Sequence, residues 1–144
     1  MPTATKRQMN WSNVSFTPTG ASVVPINGVQ SVKYDDGSSM VSFQGDSDRY
    51  NSLTVNDFNE PKFTIETGDI AALLQLPSGT TGQFQATFND AKNGVLTGAI
   101  SYTFQGIVSG NSAMGKHRAF GMGTLEIQGL STDAVTNPLS TSIA

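Results

Sequence analysis

Cysteine is absent from the 144 residues of this chain, and His117 is the only histidine. Without thiols no disulfide can form, which favours assembly in a reducing cytosol over export. Nucleophiles paired with a histidine base, and metal sites built on thiolates, have almost no material here. These shortages argue against an enzyme and against a bound metal.

Long apolar stretches are missing as well. The longest, Ile70–Leu74, falls far short of the roughly 20 residues that a membrane-spanning helix needs. Residues 1–10 contain Lys6 and Arg7 but no apolar run behind them. We therefore expect neither a signal peptide nor a membrane anchor.

Charge is scarce and unevenly distributed. Only 13% of residues are charged, against about 25% in an average globular protein. Residues 35–69 hold eight acids and two bases, a net of −6, while the rest of the chain holds three acids and six bases, a net of +3. Such polarity suits head-to-tail contacts between copies, or a surface that faces a polyanion without holding it. A solvated acidic loop is the simpler alternative.

Alternating apolar and polar residues predict a mainly β chain. In one strand, Val32 and Tyr34 share a face opposite Ser31 and Lys33. Further strands are predicted around Val14 and Phe16; Met40 to Phe43; Phe63 and Ile65; Phe84, Ala86 and Phe88; Ile100, Tyr102 and Phe104; and Phe120, Met122, Leu125 and Ile127. The second face of these strands is Gln, Thr and Ser rather than Lys and Glu, which suits packing against a copy of the same protein.

One segment changes to helical spacing. Ile70, Leu73 and Leu74 stand at i, i+3 and i+4, Asp69 is placed to cap the start, and Pro77 ends the run. This predicts one short helix over about residues 69–76, which must dock its apolar stripe on a sheet because two turns alone are unstable.

The remaining segments complete a single domain over residues 1–144, a β-sandwich or barrel-like fold with extended terminal arms. Residues 90–94, which end in Asn93-Gly94, predict a hairpin loop. Residues 109–115 predict a flexible loop, and residues 131–144 lose periodicity and predict a C-terminal arm. Residues 35–49 predict an acidic hairpin-like excursion around the short strand from Met40 to Phe43.

Two weak motifs were weighed for ligand binding. Residues 110–117 nearly spell a phosphate-binding loop, but His117 stands where a magnesium-ligating Ser or Thr belongs, and no helical pattern follows. Asp46-Ser47-Asp48 suggests calcium, but Tyr50 occupies a position that needs an oxygen ligand. We therefore expect no cofactor, no metal and no catalysis.

The order of these segments resembles that of phage tail tube proteins and the inner tubes of contractile injection systems. The likeness lies in the strand at residues 29–34, the acidic excursion, the strand-to-helix step at residues 63–74, the long hairpin at residues 83–105 and the final arm. It is one of architecture, covers most of the chain and includes no diagnostic peptide.

The resemblance implies a virion protein that assembles in the host cytoplasm into stacked hexameric rings. These line a channel through which DNA passes without specific binding. Sheath, tape-measure and terminator proteins are implied as possible partners. The alternatives are another tail, baseplate or head protein and, from a different class, a surface-binding β-sandwich module. The low charge agrees with the conduit, since a basic lining would hold DNA through counterion release.

In that family the excursion reaches the neighbouring ring. The candidates for contact between rings are therefore the acids and apolar residues of the excursion and two bases elsewhere: Asp35, Asp36, Met40, Val41, Phe43, Asp46, Asp48, Lys116 and Arg118.

Overall fold

A computed structural model describes the backbone of residues 7–45, 47, 49–50, 53–92, 95–115, 117–131, 133 and 135–143. Side chains are described for these residues except 7–12, 56–58, 89–92 and 95–98. The described part forms strands β1 (Arg7–Pro18), β2 (Val24–Pro25), β3 (Val29–Asp35), β4 (Ser38–Phe43), β5 (Leu53–Asn59), β6 (Lys62–Thr67), β7 (Thr81–Lys92), β8 (Val95–Met114), β9 (Met122–Gly129) and β10 (Leu139–Ile143), with helix α1 (Ile70–Leu74) between β6 and β7. The prediction of a mainly β chain with one short helix is confirmed.

Eight strands form one antiparallel sheet. Its order is β2-β1-β7-β8-β9-β6-β3, and β10 pairs with β8 alongside the end of β9. The 20-residue strand β8 is long enough for both, since β9 pairs with residues 106–114 and β10 with residues 100–104. The predicted hairpin of residues 83–105 is confirmed as β7 and β8, which pair from Thr81 to Lys92. The predicted turn residues Asn93 and Gly94 lie outside the described residues.

The sheet curls back on itself because one segment bonds to both of its ends. The Ile26 amide donates to the Val14 carbonyl of β1, and the Gly68 amide after β6 donates to the Gly28 carbonyl. Residues 24–35, which contain both end strands of the sheet order, β2 and β3, thus connect β1 on one side to β6 on the other. Across the interior, the rings of Phe63 on β6 and Phe84 on β7 lie 5.0 Å apart, although two strands separate them within the sheet.

Alternation fills this interior as predicted. Phe84, Ala86 and Phe88 are buried on β7, as are Phe63 and Ile65 on β6. Further core residues come from every side of the sheet: Val14, Phe16, Val24, Ile26, Ile100, Phe104, Val108, Leu125 and Ile127. Along β6, β7 and β9 alternate side chains therefore lie inside, which leaves the others to define the surface.

Helix α1 confirms the predicted position but corrects its apolar stripe. The Asp69 carboxylate caps the start by accepting a hydrogen bond from the Ala72 amide, 3.1 Å away. Leu73 is buried on the sheet, but Leu74 is 77% exposed, and Leu76 beyond the helix enters the core instead. The docked side of the helix is the one that carries Ala72 and Leu73, and Leu74 faces away from the sheet.

Two predicted irregular segments are strands. Residues 109–115 were expected to form a flexible loop, but β8 continues to Met114 and pairs with β9. Its Asn111 amide donates to the carbonyls of Leu73 and Leu76, so this end of β8 is tied to the C-terminal end of α1. A long-range partner for these residues was not readable from local sequence.

The terminal arms are likewise part of the sheet. From Arg7 onward the N-terminal segment is β1, paired with β7, and residues 139–143 of the expected C-terminal arm are β10. A turn precedes β10. In this turn the Asp133 carboxylate accepts hydrogen bonds from Ser131, Val135 and Thr136. Mainly the hydrogen bonds from Thr136 hold the pKa of Asp133 well below its usual range.

Docking of α1 on the sheet requires a glycine at position 123. A methyl group on Gly123 of β9 would collide with the Leu73 side chain and with the Ser112 carbonyl. We expect Gly123→Ala to lower the free energy of unfolding by about 1–3 kcal/mol, as overpacking does, measured by urea denaturation. Gly115→Ala, where the added methyl group meets open space, is the matched control and should change it by less than about 0.5 kcal/mol. Equal effects would contradict this account of docking.

Candidate assembly surfaces

The most prominent surface feature is a projecting hairpin, residues 38–59. Its strands β4 and β5 form a separate two-stranded sheet. The predicted excursion of residues 35–49 is therefore wrong in extent, because it omitted the returning strand β5. At the base, the Glu60 amide donates to the Gly37 carbonyl. Gly37 has φ of 58°, and a side chain there would strike the Glu60 backbone, so the closure depends on glycine.

One side of the projecting hairpin is apolar. Val41 lies directly opposite Val55, and Phe43 directly opposite Leu53. Residues two apart on a strand share a face, so these four side chains form one surface, the apolar face. Their exposed fractions range from 47% to 61%. An exposed apolar cluster of this kind is typical of a protein interaction site.

The opposite side of the hairpin differs in character. Ser42 and Thr54 face each other there, with hydroxyl oxygens 3.1 Å apart. Met40 belongs to this side, because it is two residues from Ser42. The sequence analysis grouped Met40 with Val41 and Phe43, and the pairing register separates them.

Local sequence contained a signal for the two residues that the analysis missed. Leu53-Thr54-Val55 alternates like the strands that were recognised. The predicted strands did not include it. Only the pairing of Leu53 with Phe43 and of Val55 with Val41 shows that these residues form one apolar surface.

The acids at the hairpin base take part in local turns. Asp35 accepts a hydrogen bond from the Gly37 amide at 2.9 Å, and Asp36 from the Ser38 amide at 3.3 Å. Burial raises the pKa of the nearby Tyr34 phenol, and the charges of Asp36 and Asp35 raise it further. Both carboxylates thus help to start the hairpin, and their contact with another ring stays a prediction.

The other predicted contact residues are dispersed. Asp46, Asp48 and Lys116 lie outside the described residues. Arg118 is exposed, with φ of 58°, in the turn between β8 and β9. Since Asp35 pairs with Lys62 at one end of β3 and β6, and Thr67 pairs with Gly123 at the other, Arg118 lies at the end of the barrel remote from the hairpin.

That remote end has an apolar surface of its own, which we call the Phe120 patch: Met114, Phe120 and Met122. Met114 and Met122 pair directly across β8 and β9, and Phe120 is 99% exposed. Two open grooves, of about 620 and 670 Å³, flank the patch, and Phe120 and Met122 line both of them. Met114 and Met122 come from different strands and Phe120 from the connection between them, so alternation within one strand did not reveal this surface.

Charge divides the outside of the barrel into two walls. The neutral wall is the face of β1, β7, β8 and β10 turned away from the core, and its side chains are Asn13, Thr17, Gln83, Gln85, Thr87, Ser101, Thr103, Gln105, Ser140 and Ser142. The charged wall is the corresponding face of β3, β6 and β9, with Lys33, Asp35, Lys62, Glu66 and Glu126. The predicted uncharged strand faces therefore lie together on one side of the barrel.

The near-miss phosphate loop gains no support from the fold, and Asp46 and Asp48 of the calcium motif lie outside the described residues. Residues 110–114 of the near-miss phosphate loop lie in strand β8, so they cannot wrap a phosphate. Within the described residues, no group of three His, Asp or Glu side chains is arranged to hold a metal ion. No described helix has the length and apolarity needed to cross a bilayer.

Comparison with known proteins adds no identification. The sequence matches no protein-family model, and the search of curated proteins finds no match.

If the apolar face is an assembly surface, its removal should leave the fold intact. We expect the double variant Val41→Ser, Val55→Ser to change the free energy of unfolding by less than about 1 kcal/mol, because both sites are exposed. Val108→Ser, which places a hydroxyl in the core, should cost about 2 kcal/mol or more. Urea denaturation of the three proteins gives the comparison. A double variant as unstable as Val108→Ser would make the hairpin part of the core.

Proposed function

We propose that this protein is the subunit of a phage tail tube, which forms rings that stack into a conduit for the viral genome. The observation that carries the proposal is a hairpin with an exposed apolar face projecting from one end of a barrel that has an uncharged wall. A monomer gains nothing from displaying either surface. Six subunits per ring, and sheath, tape-measure or terminator partners, follow from the architectural resemblance.

Stacking would depend mainly on the apolar face. Burying one of its side chains against a neighbouring ring is worth roughly 1.5–3 kcal/mol. An exposed ion pair contributes only about 0–1 kcal/mol and weakens in salt. Val41, Phe43, Leu53 and Val55 would therefore set the strength of stacking, and the acids of the hairpin its register and salt dependence.

The neutral wall suits the lining of the conduit. DNA binds proteins by releasing counterions to lysine and arginine, so a wall with cations would hold the genome in place. Within the parts of β1, β7, β8 and β10 whose side chains are described there is no Asp, Glu, Lys or Arg, and Arg7, Asp90 and Lys92 of β1 and β7 lie outside those parts. A surface of hydroxyls and amides stays hydrated and lets a polyanion slide, whereas the charged wall would face outward.

Assembly is the direct test of the proposal. Gel filtration with light scattering should show hexamer-sized rings or longer polymers, and electron microscopy should show tubes at high protein concentration. The Val41→Ser, Val55→Ser variant should keep rings and lose tubes. Met40→Ser removes an exposed apolar side chain from the other side of the same hairpin, so as the matched control it should retain tubes. Strict monomers at every concentration would refute the tube and favour a binding module.

A deletion sharpens this test. Because Gly37 and Glu60 already touch through a hydrogen bond, a Gly-Ser linker can replace residues 38–59 without moving the barrel. Rings without tubes are the expected product. Tubes of normal length from this variant would show that the hairpin has no role in stacking.

Placement of the neutral wall can be checked by labelling assembled tubes. Thr103→Cys lies on the neutral wall and Thr64→Cys on the charged wall, in a chain with no cysteine of its own. A maleimide attached to a folded protein too wide for the channel should label Thr64→Cys in tubes but not Thr103→Cys. Both variants should react after the tubes are dissociated. Equal labelling of both in intact tubes would contradict the assignment of the neutral wall to the lumen.

A further inference from the structure

We infer that the Phe120 patch is the receptor for the projecting hairpin, so that the apolar face of one copy packs on Met114, Phe120 and Met122 of the next. This inference rests on the proposed function and names the surface that completes it. It concerns residues that the sequence analysis did not associate with assembly, apart from the neighbouring bases Lys116 and Arg118.

Position is the first argument. The hairpin leaves the barrel at the end of β6 where Asp35 pairs with Lys62. The Phe120 patch lies at the other end of β6, where Thr67 pairs with Gly123. The six residues of β6 separate these ends by about 20 Å at 3.3 Å per residue. Two complementary surfaces at opposite ends of one molecule give a heterologous, head-to-tail contact that repeats from copy to copy. A stack of rings needs this kind of contact.

Exposure is the second argument. Phe120 is 99% exposed, and Met114 and Met122 are also exposed beside it. Large apolar side chains gathered in this way are unfavourable in water and typical of interaction sites. The apolar face of the hairpin is also exposed and contains four apolar side chains. Contact between the two surfaces would therefore remove the apolar side chains of both from water.

Shape is the third argument. Phe120 and Met122 line two grooves, of about 620 and 670 Å³, whose other lining residues differ, so the grooves meet at these two side chains. The floor of the first includes small residues, Ser112, Ala113 and Thr124, which leave room for incoming side chains. A two-stranded hairpin presents its side chains as two parallel rows, Val41 with Phe43 and Leu53 with Val55. These two rows of side chains match the two grooves that meet at Phe120 and Met122 of the next copy.

Charge is the fourth argument. By sequence, residues 35–60 carry six acids and one base, whereas residues 114–122 carry Lys116 and Arg118 and no acid. In the inferred contact, the hairpin's only base, Arg49, would meet an acid of the next copy, Glu66, which borders the first groove. Opposite signs steer association and fix register, while like charges oppose two hairpins meeting each other.

Disulfide trapping tests the contact directly, because the natural chain has no cysteine. Val55→Cys and Met122→Cys are made as separate variants that differ in length by a tag, and are mixed under assembly conditions with an oxidant. We expect a mixed dimer of the two on a non-reducing gel, little dimer from either variant alone, and a ladder of polymers when both substitutions are in one chain. Thr54→Cys, on the other side of the hairpin, replaces Val55→Cys in the control and should give no mixed dimer.

Phe120→Ser tests the receptor without a cross-link. Its side chain is exposed, so the fold should persist, while the ladder and the tubes are lost. Tubes that form normally with Phe120→Ser and without the mixed dimer would overturn the receptor but leave the tube intact. Dimers of Val55→Cys alone would indicate hairpins meeting symmetrically and overturn it as well. Absence of both tubes and cross-links in every variant would refute the tube and the receptor together.

Discussion

Contact between aromatic rings inside the barrel is the interaction on which the other features depend. The ring of Phe63 lies 4.8–5.5 Å from those of Tyr34, Phe84, Tyr102 and Phe104, which come from β3, β7 and β8. Strands that are distant in the sheet order are thereby held face to face. Loss of a buried phenylalanine typically costs about 3–5 kcal/mol. This packing keeps the neutral and charged walls on opposite sides and the two ends of β6 at opposite ends of the molecule.

Among the described side chains, none from the hairpin belongs to the core, so its exposed apolar residues can serve another purpose. The apolar face and the Phe120 patch expose the side chains that a soluble monomer would bury. The scarcity of charge on four adjacent strands has the same implication, since solubility normally favours charged outer faces. Exposed apolar ends and an uncharged wall are costly features for a monomer and useful ones for a hollow, stacked assembly. The proposed tube accounts for all three together.

Much of the fold could be predicted from local patterns. Alternation identified Phe63, Ile65, Phe84 and Phe104 as inward-facing, because a strand places every second side chain on the same side. Capping chemistry located α1 from Asp69. Prediction failed where a segment depends on a distant partner. Residues 109–114 contain glycine and polar residues and therefore looked like a loop. They form a strand because they pair with β9 and because Asn111 bonds to the carbonyls of Leu73 and Leu76.

The candidate surfaces show the same division. By itself, the sequence determined the β character, the absence of cysteine, the acidic excursion and the uncharged strand faces, since composition and alternation are properties of neighbouring residues. Only the tertiary structure decided that Val41 and Phe43 share a face with Leu53 and Val55 while Met40 does not. It alone also brought Met114 together with Met122 and placed them far from the hairpin. Strand register and sheet order join residues that are distant in the chain, and no local pattern encodes which strand a given strand will choose.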